Sequence, residues 1–552
     1  MQIIIPMSGF GERFRKVGYK VPKPLIEVEG KPIIAHVIDM FPSETDFIFI
    51  CNQDHLNEQS YQMANILSHY CPTGKIVGIE PHKLGPVHAV LKVKELIDLD
   101  KPTVVNYCDF TCYWDWLDFK QYVSKQDVAG AIPAYKGFHP HSLGTTNYAY
   151  LNEKNGFVLD IQEKQPFTNN RMEEFASSGT YYFSSGRILI DAFESCVNEN
   201  LHVDGEFYVS LAYKPLLSSK QRIAVYGLQH FMQWGTPQDV QEYNYWSNIF
   251  KGYVNDSFNT HDKTVSSVVI PLAGLGQRFI NEGYNTTKPL ISVSGKHMVS
   301  QAINDLPCAE QYCFVVRNDM PGVEDLKYHL VQSFNNSKTV GVDGVTQGQA
   351  CSALIGAKAL GHFDGPVTFG ACDNGALYDK NKLSTLMSDE NVDVIVWSIR
   401  GYCNAIREPH MYGWIDVDDN DNIKSISVKK PLSTPEYDPI VLGTFTFKKL
   451  TDFYRVVDSL FERKELVNGE YYLDSCINDA LKLGLKCKTF EVNSFVSWGT
   501  PNDLKTFEYW QSCFHKWQGH PYDLGLDRRV LVNKIEELNR QFRTFTPYSF
   551  YD

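Results

Sequence analysis

Ile3-Ile4-Ile5-Pro6-Met7-Ser8-Gly9-Phe10-Gly11-Glu12-Arg13-Phe14, followed by Pro22-Lys23-Pro24-Leu25-Ile26, decides the reading of the chain. An apolar run that stops at a glycine loop carrying an Arg, with a Lys just beyond, is the pattern of a buried strand. Such a strand presents backbone N–H groups and two cations to one polyanion, most simply a nucleoside triphosphate. The pattern returns as Val268-Val269-Ile270-Pro271-Leu272-Ala273-Gly274-Leu275-Gly276-Gln277-Arg278-Phe279, then Thr287-Lys288-Pro289-Leu290-Ile291. Arg13 precedes Lys23 by ten residues, and Arg278 precedes Lys288 by the same ten. The chain reads as a tandem duplication.

The register between the copies holds far beyond the loop. Gly9 and Gly274 lie 265 residues apart, Asp109 and Asp373 264, Lys164 and Lys429 265, Glu206 and Glu470 264, and Trp234 and Trp498 264. Landmarks kept in step over so long a stretch mean two copies of one fold with almost no net insertion. The expected organisation is a first domain over 1–250, a linker over 251–263, a second domain over 264–517 and a tail over 518–552. The linker is placed by the Asn, Asp, Ser and Thr of Lys251 to Thr264, and Val530 to Phe542 of the tail reads as helical.

Within the first copy, Lys31 to Met40 has a Pro near a helix start and apolar residues at helical spacing. Asp46 to Cys51 reads as a buried parallel strand. A helix around Leu56 to Tyr70, a strand near Ile76 to Ile79, a helix around Val87 to Leu96 and a strand Thr103 to Asn106 follow. Strands alternating with helices specify a doubly wound α/β sheet, whose ligands sit at the carboxyl ends of the strands. Two features fall there: Leu84-Gly85-Pro86, opening a helix, and Asp109, ending the apolar strand through Asn106. A carboxylate at that place can hold Mg²⁺ against phosphate oxygens, or it can act as a turn or helix-capping Asp.

Composition narrows the classes. At 552 residues, with 43% hydrophobic and 21% charged side chains, the chain has apolar material for two sizeable cores. A formal charge of −13 argues against general nucleic-acid binding. Thirteen cysteines without C-x-x-C pairs or zinc spacing point to free thiols in a reducing compartment. Neither a signal peptide nor a membrane span of about twenty apolar residues is legible, so a cytoplasmic location is expected. The glycine loop is not a dinucleotide fingerprint, because Phe14 stands where the third glycine would be, and no G-x-x-x-x-G-K-[ST] is present.

The motif P-[LM]-[AS]-G-x-G-x-R-F followed by [PT]-K-P-L-I resembles the signature of the sugar-phosphate nucleotidyltransferases. That family couples an NTP to a sugar 1-phosphate and releases pyrophosphate. The resemblance implies two tandem doubly wound, Rossmann-like mixed α/β sheets of the nucleotidyltransferase (GT-A-like) type. It implies phosphate-directed catalytic roles for Arg13, Lys23, Arg278 and Lys288, and nucleotide contacts from Ser8, Gly9, Gly11 and Gly85 in the first copy. In the second copy the nucleotide contacts fall on Ala273, Gly274, Gly276, Gln347 and Gly348. Mg²⁺ is implied on Asp109 and Asp373, and sugar-phosphate contacts on Glu163, Lys164 and Lys429. The partners implied are an NTP and a sugar 1-phosphate or similar small phosphate, in a supply of activated sugars for surface polysaccharide. A homo-oligomer is compatible with the sequence.

The copies depart from the family pattern, and from each other. Glu163 is matched by Val428, so the second copy is expected to lack the sugar-side carboxylate. Leu84 is matched by Gln347, whose amide suits a nucleotide base. Where many relatives carry a second metal-binding Asp, this chain has Gln233 and Ser497. The sequence-level expectation is that the first domain is the sugar-phosphate transferase and the second handles a less hydroxylated phosphate or only binds nucleotide. A sugar-nucleotide-binding tandem without turnover, and a glycosyltransferase on the related fold, stand as alternatives; the latter would call for a D-x-D that Asp109-Phe110-Thr111 lacks.

Overall fold

The computed structural model describes residues 1–145, 147–255, 265–361 and 364–541. The chain divides into two compact units. The first comprises Met1–Asn244, Ser512–His520 and the described residues from Asn539 on; the second comprises Tyr245–Gln511 and Pro521–Leu538.

In the first unit the strand Gln2–Met7 lies between Asp46–Asn52 and Thr103–Asn106, parallel to both. Ile3, Ile4 and Ile5 are fully buried, because a central parallel strand is covered on both faces and so reads as a continuous apolar run. Burying each such side chain is worth roughly 1.5–3 kcal/mol relative to exposure. The core of the sheet runs Lys75–Ile79, Asp46–Asn52, Gln2–Met7, Thr103–Asn106, Thr180–Phe183, Gly130–Tyr135 and Ile223–Leu228. Thr180–Phe183 is antiparallel to both its neighbours, which makes the sheet mixed.

The second unit repeats this order strand for strand. It runs Ser337–Val342, Gln311–Arg317, Ser267–Leu272, Val367–Phe369, Ile440–Phe447, Val394–Ile399 and Cys487–Glu491, with the antiparallel strand at the same place. Its central strand shows the double winding directly. Val269 packs with Ala350, Ala353 and Ala357 of the helix Gln349–Ala359, whereas Val268, Ile270 and Leu272 pack with Val299, Ile303, Leu326 and Leu330 of Met298–Asn304 and Val323–Ser333. Alternate side chains of one strand thus enter two helical layers.

Each unit adds a hairpin and, besides a pairing of two residues with two, a small two-stranded sheet. The hairpins are Ala149–Lys154 with Phe157–Glu163 and Gly413–Val417 with Ile423–Val428. The small sheets are Phe110–Tyr113 with His230–Gln233 and Asn374–Leu377 with Ser494–Ser497.

Several local expectations are corrected. Residues 251–254, read as the start of a linker, continue the helix Pro237–Val254, whose aromatic residues Trp246, Phe250 and Tyr253 are buried; residues 256–263 lie outside those described. The helix expected around Leu56 to Tyr70 is broken into Gln53–Asn57, a short 3₁₀ turn and Met63–Tyr70, with Gln62 at φ 49° between them. The helix expected to reach Leu96 ends at Leu91 and resumes as a 3₁₀ turn. In the tail, Tyr522, Leu524 and Val530 are buried. The helix expected there spans Ile535–Gln541, and Phe542 lies outside the described residues.

Candidate functional site

The first strand ends at Met7, and the chain turns through Ser8–Gly11 into the helix Glu12–Lys16. Gly11 makes this turn at φ 63°, as Gly276 does at φ 66° before Gln277–Asn281. The left-handed region costs an L side chain roughly 1–2 kcal/mol, so both copies keep glycine there. Beyond each helix a 3₁₀ turn beginning at Lys23 or Lys288 brings that lysine back beneath the loop.

The result is a cleft of about 450 Å³ lined by Ser8, Gly9, Gly11, Arg13, Lys23, Gly85 and Asp109, with Lys83, Tyr107, Glu206, Tyr208 and Gly235 completing its walls. Lys23 Nζ donates to Asp109 Oδ2 at 2.8 Å. Burial works against the Lys23 ammonium, but the Asp109 carboxylate outweighs it and raises the pKa, while Arg13 opposes the rise as a second cation nearby. Arg13 is exposed and has no ion-pair partner among the described residues. Two neighbouring cations offset by a single carboxylate form a place where further negative charge is stabilised.

The second unit holds the same arrangement. Ala273, Gly274, Gly276, Lys288, Gly348 and Asp373 line a cleft of about 250 Å³. An adjoining space of about 330 Å³ is lined by Arg278, Gly276, Lys288 and Glu470. Lys288 Nζ donates to Asp373 Oδ2 at 2.5 Å and to the Gly499 carbonyl at 3.1 Å. Here too burial opposes and Asp373 raises the lysine pKa.

The aspartates are fixed by the segments around the two conserved-spacing tryptophans. Trp234 N donates to the Asp109 carbonyl at 2.7 Å, and Trp498 N to the Asp373 carbonyl at 2.7 Å. Thr236 N then donates to Asp239 Oδ2 at 2.7 Å while Asp239 N donates to Thr236 Oγ1 at 3.2 Å, a reciprocal helix cap repeated by Thr500 and Asp503. Burial pushes Asp239 up to about 6, and the Asp109 charge adds to the shift. A Cβ placed on Gly235 would lie 3.2 Å from Asp109 Oδ2 and 3.8 Å from Asp239 Oδ2, so the two carboxylates flank the same glycine. Both thiols preceding the aspartates, Cys108 and Cys372, are pushed up to about 12 by burial and stay protonated at neutral pH.

A hard divalent cation suits this donor set. Asp109, Asp239 and the Gln233 amide oxygen are all oxygen donors, and Gln233 donates its amide to Asp239. Among the described residues no group of three or more His, Cys, Asp or Glu gathers as a protein-only metal cage. Mg²⁺ does not need one, since one or two carboxylates with substrate phosphates and water suffice.

The helix-opening glycines have a packing reason. A Cβ on Gly85 would come within 2.7 Å of the Phe207 backbone, and one on Gly348 within 2.5 Å of the Tyr471 carbonyl oxygen. Phe207 N donates to the Leu84 carbonyl at 2.9 Å and Tyr471 N to the Gln347 carbonyl at 2.9 Å. This lacing sets Glu206 and Glu470 in the cleft walls. Gln347 itself is exposed and outside the cleft lining, and Gln349 lines it instead.

Glu163, Lys164 and Lys429 are not among the residues that line the clefts. Lys164 Nζ donates to Tyr208 Oη at 2.6 Å, and Tyr208 donates to Glu206 Oε2 at 2.6 Å, which connects the lysine to the cleft. Sequence reasoning gave no role to Lys83, Glu206, Tyr208 or Asp239. The constant 264-residue offset of Glu206 and Glu470, and the landmark stretches Asp204–Tyr208 and Trp234–Asp239, were the signals that marked three of them.

The family model described as nucleotidyl transferase matches residues 2–208, within the first unit. Over 289 residues the chain is 27% identical to the bifunctional protein GlmU of Methanocaldococcus jannaschii, covering 51% of this chain and 61% of that protein. It is 25% identical over 191 residues to the mannose-1-phosphate guanylyltransferase catalytic subunit beta of Dictyostelium discoideum, covering 33% of this chain and 50% of the relative. The chain thus spans about half to three fifths of the length of these curated relatives. The crystal structure of the nucleoside-diphosphate-sugar pyrophosphorylase from Vibrio cholerae RC9 is similar with 18% identity and a TM-score of 0.37, covering 44% of this chain and 98% of that one. The α/β class read from the sequence, with two doubly wound mixed sheets, is the fold observed. No helix among the described residues is long and apolar enough to cross a membrane.

Proposed function

We propose that the chain is a nucleotidyltransferase that joins an NTP to a sugar 1-phosphate, or a similar small phosphate, and releases pyrophosphate. We further propose that residues 1–250 and 264–517 are two tandem copies of the same catalytic fold. The observation that carries the reading is the Lys–Asp pair beneath a glycine loop with a neighbouring Arg, present once in each unit. The shared strand order and the 264-to-265-residue register support the duplication.

In the reaction an oxygen of the acceptor phosphate attacks the α-phosphorus of the NTP. The bond from the α-phosphorus to the bridging oxygen breaks, and pyrophosphate leaves with the electron pair. Little proton chemistry is needed, so rate comes from positioning and from neutralising charge on the phosphates. The loop amides around Ser8 to Arg13 and the Arg13 guanidinium bind the triphosphate. Lys23 turns from Asp109 towards the reacting phosphate as negative charge arrives. Asp109, with Asp239 and Gln233, would hold Mg²⁺, which when bound neutralises phosphate charge. Arg278, Lys288 and Asp373 take the corresponding roles in the second unit. The product fits a supply of activated sugars for surface polysaccharide.

Pyrophosphate release, measured over a panel of NTPs and sugar 1-phosphates, tests the reading. NTP binding with no pyrophosphate release under any pairing would favour a nucleotide-binding tandem without turnover.

A further inference from the structure

In the first unit Glu163 sits opposite Ala149 in the hairpin register, and its Oε2 accepts a hydrogen bond from Ser210 Oγ at 2.6 Å. Lys164 follows in the left-handed region at φ 60°, its ammonium 4.5 Å from the Tyr208 ring centroid. In the second unit the register sets Gly413 opposite Val428. Lys429 keeps the left-handed backbone at φ 56° and lies 4.9 Å from the Tyr472 ring centroid. The residue in step with Ser210 is Asp474, near the start of the helix Leu473–Lys482.

Three positions on three different elements therefore differ together: Ala149, Glu163 and Ser210 of the first unit stand against Gly413, Val428 and Asp474 of the second. The geometry explains why. A Cβ on Gly413 would lie 2.3 Å from Asp474 Oδ2, so the Asp474 carboxylate occupies the space that a methyl group at 413 would need. Deleting that methyl admits the new carboxylate, and replacing Glu163 by Val removes the old one, which avoids two like charges in one place. The carboxylate stands on the strand in the first unit and on the helix in the second, near the lysine in both.

We propose that Asp474 is the acidic group beside the second cleft, accepting a hydroxyl of a polyhydroxylated phosphate ester in the role that the resemblance implies for Glu163 in the first. The proposal rests on the nucleotidyltransferase reading and revises the division of labour expected from Val428: the second unit also takes a sugar-type phosphate. Two further observations agree. Glu470 and Leu473, on the same stretch, line the second cleft. Burial pushes Asp474 up to about 6 against the pull of Lys429, and Glu163 up to about 7 against the hydrogen bond from Ser210 and the charge of Lys164, so the two carboxyls share one kind of environment.

The test uses the full chain carrying Lys23→Ala, so that turnover reports on the second unit. Glucose 1-phosphate and phosphocholine are the acceptor probes, with each NTP. Asp474→Ser is expected to raise the KM for glucose 1-phosphate about tenfold or more, the loss of a hydrogen bond to a charged acceptor, and to leave the KM for NTP unchanged. Val428→Glu added to Asp474→Ser returns the acid to the strand and is expected to restore glucose 1-phosphate use, which a merely structural Asp474 would not allow. An unchanged KM in Asp474→Ser, or no restoration in a folded double variant, overturns the inference. If the chain with Lys23 intact also releases no pyrophosphate under any pairing, the nucleotidyltransferase reading fails separately. Calorimetry of glucose 1-phosphate binding then decides, with two sites per chain reduced to one by Asp474→Ser as the supporting result and an unchanged count as the overturning one.

Discussion

Lys23 and Asp109 are paired at 2.8 Å across the floor of the first cleft, and Lys288 and Asp373 repeat the pair at 2.5 Å in the second. Each pair joins a 3₁₀ turn to the end of a sheet strand, so the cation and the carboxylate are held without any ligand. Incoming phosphate and Mg²⁺ would part them, the lysine going to the anion and the carboxylate to the metal. Replacing Lys23 by Met should lower turnover of the first unit about 10²–10³-fold, the usual cost of one donor aimed at developing charge. Steady-state pyrophosphate release in a Lys288→Ala background measures it; an unchanged rate would remove Lys23 from the mechanism.

The loop glycines differ in what surrounds them. A Cβ on Gly11 would meet Lys23 only at ordinary contact, 3.8 Å from its backbone nitrogen, whereas one on Gly276 would lie 3.1 Å from Lys288 Cβ. Gly11→Ala is expected to cost about 1–2 kcal/mol through left-handed strain alone. Gly276→Ala is expected to cost at least as much and also to displace Lys288. Urea unfolding combined with unit-specific turnover should show the larger activity loss for Gly276→Ala, and equal losses would contradict the packing argument.

Glu163 makes stability depend on pH in a definite direction. Burial raises its carboxyl from the ordinary 4.5 to about 7, so between these values the folded chain binds a proton that the unfolded chain has lost. The contribution of this group to folding stability therefore falls as pH rises from about 4.5 to about 7, then levels off. Glu163→Gln should melt at a higher temperature than the parent at pH 8, with the difference shrinking towards pH 4. A difference independent of pH would mean that the group is not held protonated by burial.

Gly85 allows the helix-opening loop to lie against Phe207, where a side chain would come within 2.7 Å of backbone atoms. Gly85→Ala should force the two segments apart and shift Glu206 out of the cleft wall. The expected outcome is weaker NTP binding by calorimetry together with lower thermal stability. Unchanged binding would separate this lacing from the cleft.

Much of this was legible because it is written in local pattern. The triple isoleucine of a buried strand, the glycine loop, and the Lys ten residues after the Arg each follow from short stretches, and repetition multiplied their weight. What was not legible depended on which distant segments meet. Asp239 looks like an ordinary helix cap until the pairing of Phe110–Tyr113 with His230–Gln233 sets it beside Asp109. The acid at Asp474 was hidden because it belongs to a helix, while the comparison of copies looked for it on the strand at Val428. Gln347 was favoured for its amide, yet the hydrogen bond between its carbonyl and Tyr471 leaves the side chain exposed outside the cleft.

The most direct test of the central claim is pyrophosphate release by the full chain with Mg²⁺, an NTP panel and sugar 1-phosphates, set against the variant carrying both Lys23→Ala and Lys288→Ala. The account predicts release with at least one NTP and acceptor pairing, and a loss of about 10²-fold or more in the double variant. Release that persists unchanged without either lysine would contradict it.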